Sequence, residues 1–537
     1  YGLVGSEMCI RDSVPARLPV PSAWELVPAL HNYRGRAHYT TRIRCGGNIR
    51  LSFGSVSFRA RVLLDGNEIA RHYGAFTAFE TVVRRLPEGE HALTVEVDNR
   101  FGEDSALHVP NDYYSYGGIT RPVVIEQLPD VFVERVGITT KRTADGWTAD
   151  ISANIRNLAD EGASADVTLT LAGQTFTQTA HIPADSTAII RIPDAHYADV
   201  TAWTPDTPAL YALRAEIREG NQVLDDLIDR VGFREISISG MDLLLNGEKL
   251  RLMGFNRHEE YGAFGCAVPL QAMAQDILMM KDMGCNCVRT SHYPNDPRFL
   301  DLCDEMGLLV WEEAHARGLQ EEQMRNPNFM PQTRQCVREM VAQHRNHPSI
   351  FIWGCLNECA DNCDYGADCY REVYALLHDL DASRPMTAAL LERPGSRVYG
   401  DSDVVSVNIY PQWYHNTTVA ESLAQKLKEI REHGGAGKPV IISEIGAGGI
   451  YGYHDPLGES KWSEERQCTI LRDQVEAVLA NPACSGVFLW QFADCRVTEE
   501  WAMHRPKTHN NKGVVDEYRR PKMSYAVVKE LFQKQKG

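Results

Sequence analysis

The run Ile350-Phe-Ile-Trp-Gly-Cys-Leu-Asn357-Glu358 is apolar from end to end and then stops on two polar residues. A short stretch rich in β-branched and aromatic residues reads as a strand. Because it does not alternate, it reads as a strand buried on both faces, as in a parallel sheet. His347-Pro348 ends a helical pattern just before it. A carboxylate at the C-terminal tip of such a strand sits where α/β barrels keep their chemistry. Lys438-Pro-Val-Ile-Ile-Ser-Glu444 repeats the pattern. Two strands ending in Glu suggest paired carboxylates, the equipment of glycoside hydrolysis. A lone Glu is more often a surface ion-pair residue; two at barrel strand tips favour function.

From Ile236 onward, strands alternate with helices, the pattern of a βα architecture. The eight strand candidates are Leu250–His258, Asn286–His292, Leu308–His315, Ile350–Glu358, Met386–Leu390, Val404–Tyr410, Val440–Glu444 and Gly486–Asp494. Amphipathic stretches such as Ala272–Met283 and Trp462–Ala480 separate most of them. Eight strands over about three hundred residues predict a (β/α)8 TIM barrel spanning 236–537. Polar residues gather at the strand ends: Asn256 to Glu259, Arg289, Ser291, His292, Glu312, Glu313, His315, Asn357, Glu358, Asn408, Tyr410, Glu444, Trp490 and Asp494. They predict a polar pocket at the C-terminal face.

Two β-rich segments precede the barrel. Residues 14–128 carry strand-like runs such as Ala92-Leu-Thr-Val-Glu-Val-Asp98, and they predict a jelly-roll β-sandwich. Residues 129–235 alternate in Ala165-Asp-Val-Thr-Leu-Thr-Leu171 and have the length of an immunoglobulin-like sandwich. The fold class is therefore multidomain: sandwich, immunoglobulin-like sandwich and barrel. Residues 1–13 (YGLVGSEMCIRDS) lack an initiating Met and a signal-peptide pattern, and read as a non-native leader on an N-terminally truncated chain. The run Asn111-Asp112-Tyr113-Tyr114-Ser-Tyr116-Gly117-Gly118 suits a sugar-facing loop or a Tyr-rich sandwich edge.

A net charge of −17 argues against nucleic acid or an anionic membrane as partner, and no apolar run is long enough to span a bilayer. An acidic substrate then needs a local basic pocket. Fourteen cysteines include Cys355, Cys359, Cys363 and Cys369 in one cluster, but their spacing matches no zinc pattern. Reduced, buried thiols in a cytoplasmic compartment fit better, with no metal and no cofactor expected.

A retaining glycosidase needs a nucleophile and an acid/base about 5 Å apart, and the tips of strands four and seven can supply them. Asn357 is placed to bond the sugar 2-hydroxyl. Tyr410 is placed to donate to Glu444 and keep it ionised, or else packs as a core tyrosine. Trp490 suits a stacking wall, whereas Trp353 in mid-strand reads as core. His258 and His292, on adjacent strand tips, are candidate hydroxyl ligands.

These residues resemble glycoside hydrolase family 2 and, within it, bacterial β-glucuronidases. The matching text is Gly254-Phe-Asn-Arg-His-Glu259, Arg289-Thr-Ser-His-Tyr-Pro294, His344-Arg-Asn-His-Pro-Ser349, Asn357-Glu358, Ser443-Glu444, Trp462-Ser-Glu-Glu465, Trp490-Gln-Phe-Ala-Asp494 and Asn510-Asn-Lys-Gly-Val-Val515. The resemblance covers the barrel, and the two β-domains match in order. It implies Glu358 as acid/base, Glu444 as nucleophile, Asn510 and Lys512 as readers of a uronate carboxylate, and Asp112 and Tyr414 as further sugar contacts. Similar Asn-x-Lys-Gly text occurs in family members called β-galactosidases. Two departures concern the acidic sugar: Glu259-Glu260 stands where many glucuronidases have Glu-Asp, and the Arg before Asn-x-Lys is matched only by Arg505, out of register. The segment after Gly318 is short, which implies an open pocket. The expected function is β-glucuronidase, acting on a small-molecule β-glycoside as a homo-oligomer. The alternatives are a β-galactosidase or β-galacturonidase and, from another class, a non-catalytic carbohydrate-binding protein.

Overall fold

The computed structural model describes residues 6–10, 14–220 and 222–535. The first β-unit is built on two long strands, Arg36–Phe53 and Phe79–Asp98, paired antiparallel along most of their length. Alternate residues point inward, so Tyr39, Leu51, Phe53, Val62 and Val95 form its core with Trp24. Within the expected leader, residues 1–5 and 11–13 lie outside the described residues, while Ser6–Ile10 pairs with Val14–Leu18 and with Arg36–Phe53. The second unit has a three-stranded sheet (Val131–Thr143, Gly146–Asn157, Ser186–Tyr197) facing a four-stranded one. Trp147, Ile151, Leu169, Ile217 and Phe233 fill the space between them.

The barrel strands are Leu252–Asn256, Cys287–Arg289, Leu309–Glu313, Ile350–Gly354, Met386–Thr387 with Ala389–Leu390, Val405–Asn408, Val440–Ile445 and Gly486–Leu489. All pair in parallel. The two short pieces of the fifth strand flank Ala388 and pair with opposite neighbours, which closes the sheet on itself. Each expected strand is present; all but the seventh are shorter than their apolar text, most because the ladder stops where the polar tips begin, while the seventh runs one residue further, to Ile445. Helices follow every strand except the fifth, whose connection to the sixth carries none among the described residues. The helix expected from Trp462 starts instead at Glu464, because the Ser463 side chain accepts a hydrogen bond from Arg466 N and so caps it.

The sandwich is fastened to the barrel by buried polar contacts. Arg121 Nη2 lies 2.7 Å from Glu259 Oε2, with both side chains enclosed. Below the barrel, Trp203 Nε1 donates to Asp304 O at 2.9 Å and Arg234 reaches the carbonyl of Ile350. Among the described residues, no helix is long and apolar enough to cross a membrane.

Candidate active site

The fourth strand ends by bending through Leu356 and Glu358, both in the left-handed region (φ 48° and 53°). A non-glycine residue there costs free energy and persists where the surroundings fix it, a common condition at functional sites. The turn presents Glu358 to the barrel mouth, where Asn408 Nδ2 donates to Glu358 Oε1 at 3.0 Å. Glu444, at the end of the seventh strand, accepts from Tyr410 Oη at 2.7 Å and from Arg289 Nη1 at 3.0 Å. Burial and the nearby Glu358 push the Glu444 carboxyl up to about 7, although Arg289 and Tyr410 pull the other way. The Tyr410 contact expected from sequence is therefore made, but it does not offset the loss of water and the like charge.

Arg289 is the hub beneath this pair. Fully buried, it donates to both oxygens of Glu313, to Glu444, to Asn256 Oδ1 and to Asn357 Oδ1. The planar guanidinium fixes several groups at once and leaves Asn357 Nδ2 directed elsewhere and unpaired. His292 Nδ1 sits 2.9 Å from Glu313, and its Nε2 is unpaired, 4.0 Å from Glu444. Burial and the nearby Arg289 drive the His292 pKa well below its usual value, so the ring is neutral, with Nδ1–H donating to Glu313 and Nε2 accepting. His258 is the complement. Tyr293 Oη accepts from Glu259 N and donates to His258 Nδ1, leaving the His258 Nε2–H as a free donor. Burial and His292 likewise keep that ring neutral. Trp490 stacks on His292 with ring centroids 5.0 Å apart and stands edge-on to His258.

The sandwich supplies one carboxylate. Asp112 enters from the Tyr-rich loop, with Oδ2 bonded by Arg505 at 2.9 Å and Asn510 at 3.1 Å. Its Oδ1 has an ion-pair neighbour, Arg317 Nη2 at 3.4 Å, but no hydrogen bond. Arg317 also reaches Glu358 Oε2 at 3.3 Å and donates to Asn111 Oδ1 at 2.6 Å. Lys512, itself buried, donates to Asn510 Oδ1 at 3.2 Å and lies 5.4 Å from the Tyr414 ring. Burial raises the Tyr414 pKa, but Lys512 and Arg505 outweigh it and the net shift is downward. Tyr414 is half-exposed at the rim.

The unpaired buried atoms His258 Nε2, His292 Nε2, Asn357 Nδ2, Asp112 Oδ1, Arg317 Nε and Arg505 Nε thus belong to residues linked around Glu358 and Glu444. Buried polar groups are normally satisfied, so a concentration of unsatisfied donors and acceptors marks a place for a polyhydroxylated ligand. The family follows from residues 131–536. The model of the glycosyl hydrolases family 2 TIM barrel domain matches residues 236–536, and that of the glycosyl hydrolases family 2 matches residues 131–234.

The chain belongs to glycosyl hydrolases family 2.

It is a glycoside hydrolase of that family, and it is similar over 99% of its length to a family 2 β-galacturonidase from Eisenbergiella tayi solved with galacturonate bound. The two share 45% identity with a TM-score of 0.97, and 97% of that chain is covered. A β-glucuronidase of Streptococcus agalactiae is 29% identical over 90% of this chain and 84% of its own. The structure of a β-D-glucuronidase from Dictyoglomus thermophilum superposes with a TM-score of 0.86 at 26% identity, covering 99% of this chain and 96% of that one.

All the site residues expected from the sequence of this family 2 chain lie in or beside the one constellation. Not every polar strand end does. Glu312 points outward and pairs with His344 at 2.9 Å, Arg257 with Asp276, and Asp494 with Lys522. Arg317 is the residue that sequence reasoning missed. It follows a strand end in Ala314-His-Ala-Arg-Gly318, and nothing local distinguishes it from a solvated loop arginine.

Proposed function

We propose that this family 2 hydrolase is a retaining exo-β-hexuronidase acting on β-galacturonides, with β-glucuronides as the second reading. A uronate carboxylate is served by the Lys512 ammonium and the Asn510 amide, which form a buried cationic corner in a chain of net charge −17. A neutral galactoside gives that corner no partner.

The observation that carries the choice of epimer is the position of Arg317. Galacturonides and glucuronides differ only at C4. In the chair of a β-pyranoside, an axial C4 hydroxyl projects toward the face on which the leaving group is protonated, whereas an equatorial one lies near the ring plane. Arg317 is tied to Glu358, the candidate acid/base, and to Asp112. Its guanidinium is thus on the acid/base side, as a donor to an axial hydroxyl that Asp112 Oδ1 accepts in turn. The 45% identity to a β-galacturonidase supports the same epimer, while the relatives named β-glucuronidases support the second reading.

In the first half-reaction Glu444, ionised, attacks C1 to form a glycosyl ester while Glu358 protonates the departing oxygen. In the second, Glu358 takes a proton from water, which cleaves the ester and releases the uronic acid. The deciding assay is kcat/KM for 4-nitrophenyl β-galacturonide, β-glucuronide and β-galactoside on the parent and on Arg317→Val. A charged hydrogen bond is worth about 1.5–3 kcal/mol, so the variant should shift the galacturonide-to-glucuronide ratio roughly ten- to a hundredfold toward the glucuronide. A parent that prefers the galactoside overturns the hexuronidase reading; a variant with an unchanged ratio overturns the role of Arg317.

A further inference from the structure

The network around Asp112 is one partner short. Its Oδ2 is filled by Arg505 and Asn510, but Oδ1 accepts no hydrogen bond although the side chain is buried. Burial opposes ionisation here, yet Arg317, Arg505 and Lys512 together hold the carboxyl well below the usual carboxylate range. The site therefore keeps a buried anion with an open acceptor position, and the nearby Arg317 Nε is an open donor. On the hexuronidase reading, the sugar group that meets them is the C4 hydroxyl.

We infer that this enzyme is supplied by hydrolytic or conjugating reactions and not by eliminative cleavage of polyuronides: its substrates are non-reducing ends that keep a C4 hydroxyl and a tetrahedral C5. The inference rests on the hexuronidase reading above and adds the class of reaction upstream. Two chemistries can expose a uronic-acid end from a 4-linked polymer. In hydrolysis, water adds to C1 of the preceding residue, and the C4 oxygen stays on the new end as a hydroxyl. In elimination, a base takes the proton from C5, that electron pair becomes the C4=C5 double bond, and the C4–O bond breaks with its electrons leaving on oxygen.

The eliminated end has no C4 hydroxyl, so Asp112 Oδ1 and Arg317 Nε stay unpaired when it binds. Its ring is flattened, and its carboxylate is drawn into the plane of the double bond, away from the direction set by a tetrahedral C5. Elimination also erases the C4 stereocentre, so galacturonate and glucuronate yield the same end group and an epimer-reading pocket has nothing left to read. A site built to bond a hydroxyl rejects the analogue lacking it far more strongly than an apolar pocket rejects a missing methylene, by up to about 10⁴–10⁵-fold, because its own polar groups are left bare.

The test compares kcat/KM of the full chain on three substrates with the same 4-nitrophenyl aglycone and the same arrangement at C1: the β-galacturonide, the β-glucuronide and the 4,5-unsaturated uronide. The unsaturated compound should be slower than the better saturated one by at least about 10³-fold. Asp112→Asn, checked for an unchanged melting profile, should lose activity on the saturated substrates while its rate on the unsaturated one changes little, so the gap narrows. An unsaturated substrate cleaved within tenfold of the better saturated one overturns the inference, as does a variant that loses activity on all three equally. If neither saturated uronide is cleaved while 4-nitrophenyl β-galactoside, run alongside as a fourth substrate, is, the hexuronidase reading itself has failed.

Discussion

Replacing Glu444 by Gln should abolish turnover and, above neutral pH, make the protein more stable. The buried carboxyl titrates at about 7 in the fold against an ordinary value of 4.5, because burial and Glu358 disfavour its charge. Between those two values the unfolded chain has released a proton that the folded chain still holds. Stability contributed by this group is therefore complete below the lower value and is lost as pH rises through the upper one. At about 1.4 kcal/mol per unit, the ionised carboxylate costs the fold about 3 kcal/mol above pH 7. Glutamine never ionises and escapes that cost. The Tyr410 donor keeps an acceptor in the amide oxygen, and Arg289 keeps its two bonds to Glu313. Thermal melts of parent and variant should coincide near pH 4 and separate by several degrees near pH 8, the variant melting higher. Turnover should fall at least about 10³-fold, since an amide cannot form the glycosyl ester. Equal melting differences at both pH values would refute the buried-charge account, and activity within tenfold of the parent would remove Glu444 from the nucleophile role.

Glu358→Ala should slow substrates with poor leaving groups far more than 4-nitrophenyl glycosides, because only the former need protonation; a leaving-group series with equal losses throughout would exclude it as the acid. Lys512→Met should cost roughly ten- to a hundredfold in kcat/KM on the preferred uronide and little on the matching galactoside, the size of one charge-assisted hydrogen bond. Parallel losses on both substrates, measured side by side, would make Lys512 a structural residue.

The barrel is legible in the sequence because each strand is an apolar run with a polar stop, and both features follow from burial. The carboxylates are legible for the same reason: Glu358 and Glu444 sit on those stops, and Asn357 beside Glu358 makes the text distinctive. The direction of a strand-end side chain is harder to read. Successive residues face opposite sides of a strand, so Glu313 joins Arg289 inside while Glu312 meets His344 outside. A one-residue uncertainty in where the strand stops reverses that assignment. The missing helix after the fifth strand does have a local cause in the text: residues 391–404 carry Pro394-Gly395-Ser396 and Gly400-Asp-Ser-Asp403, turn signals that leave no uninterrupted helical run. Arg317 is hidden for a different reason. Its meaning lies in Asp112, contributed by another domain about two hundred positions earlier, and in Glu358, on the next strand.

That pairing across domains explains why the sandwich is more than a spacer. A barrel alone can offer Glu358, Glu444 and the cationic corner of Lys512, but the open acceptor beside Arg317 comes only from Asp112. The Tyr-rich loop is held in place from two directions: Gly117 N donates to the buried Glu25 carboxyl at 2.9 Å, and Arg121, just beyond the loop, is locked to Glu259 and to the carbonyl of Pro294 on the barrel. Burying these polar groups is costly and worthwhile only when each has a partner. The result is a carboxylate placed on the barrel mouth by contacts that do not themselves touch the sugar. On the proposed reading, recognition at C4 is thereby separated from the chemistry at C1: the barrel strands position Glu358 and Glu444, and the sandwich loop, through Asp112, helps decide which sugar is offered to them.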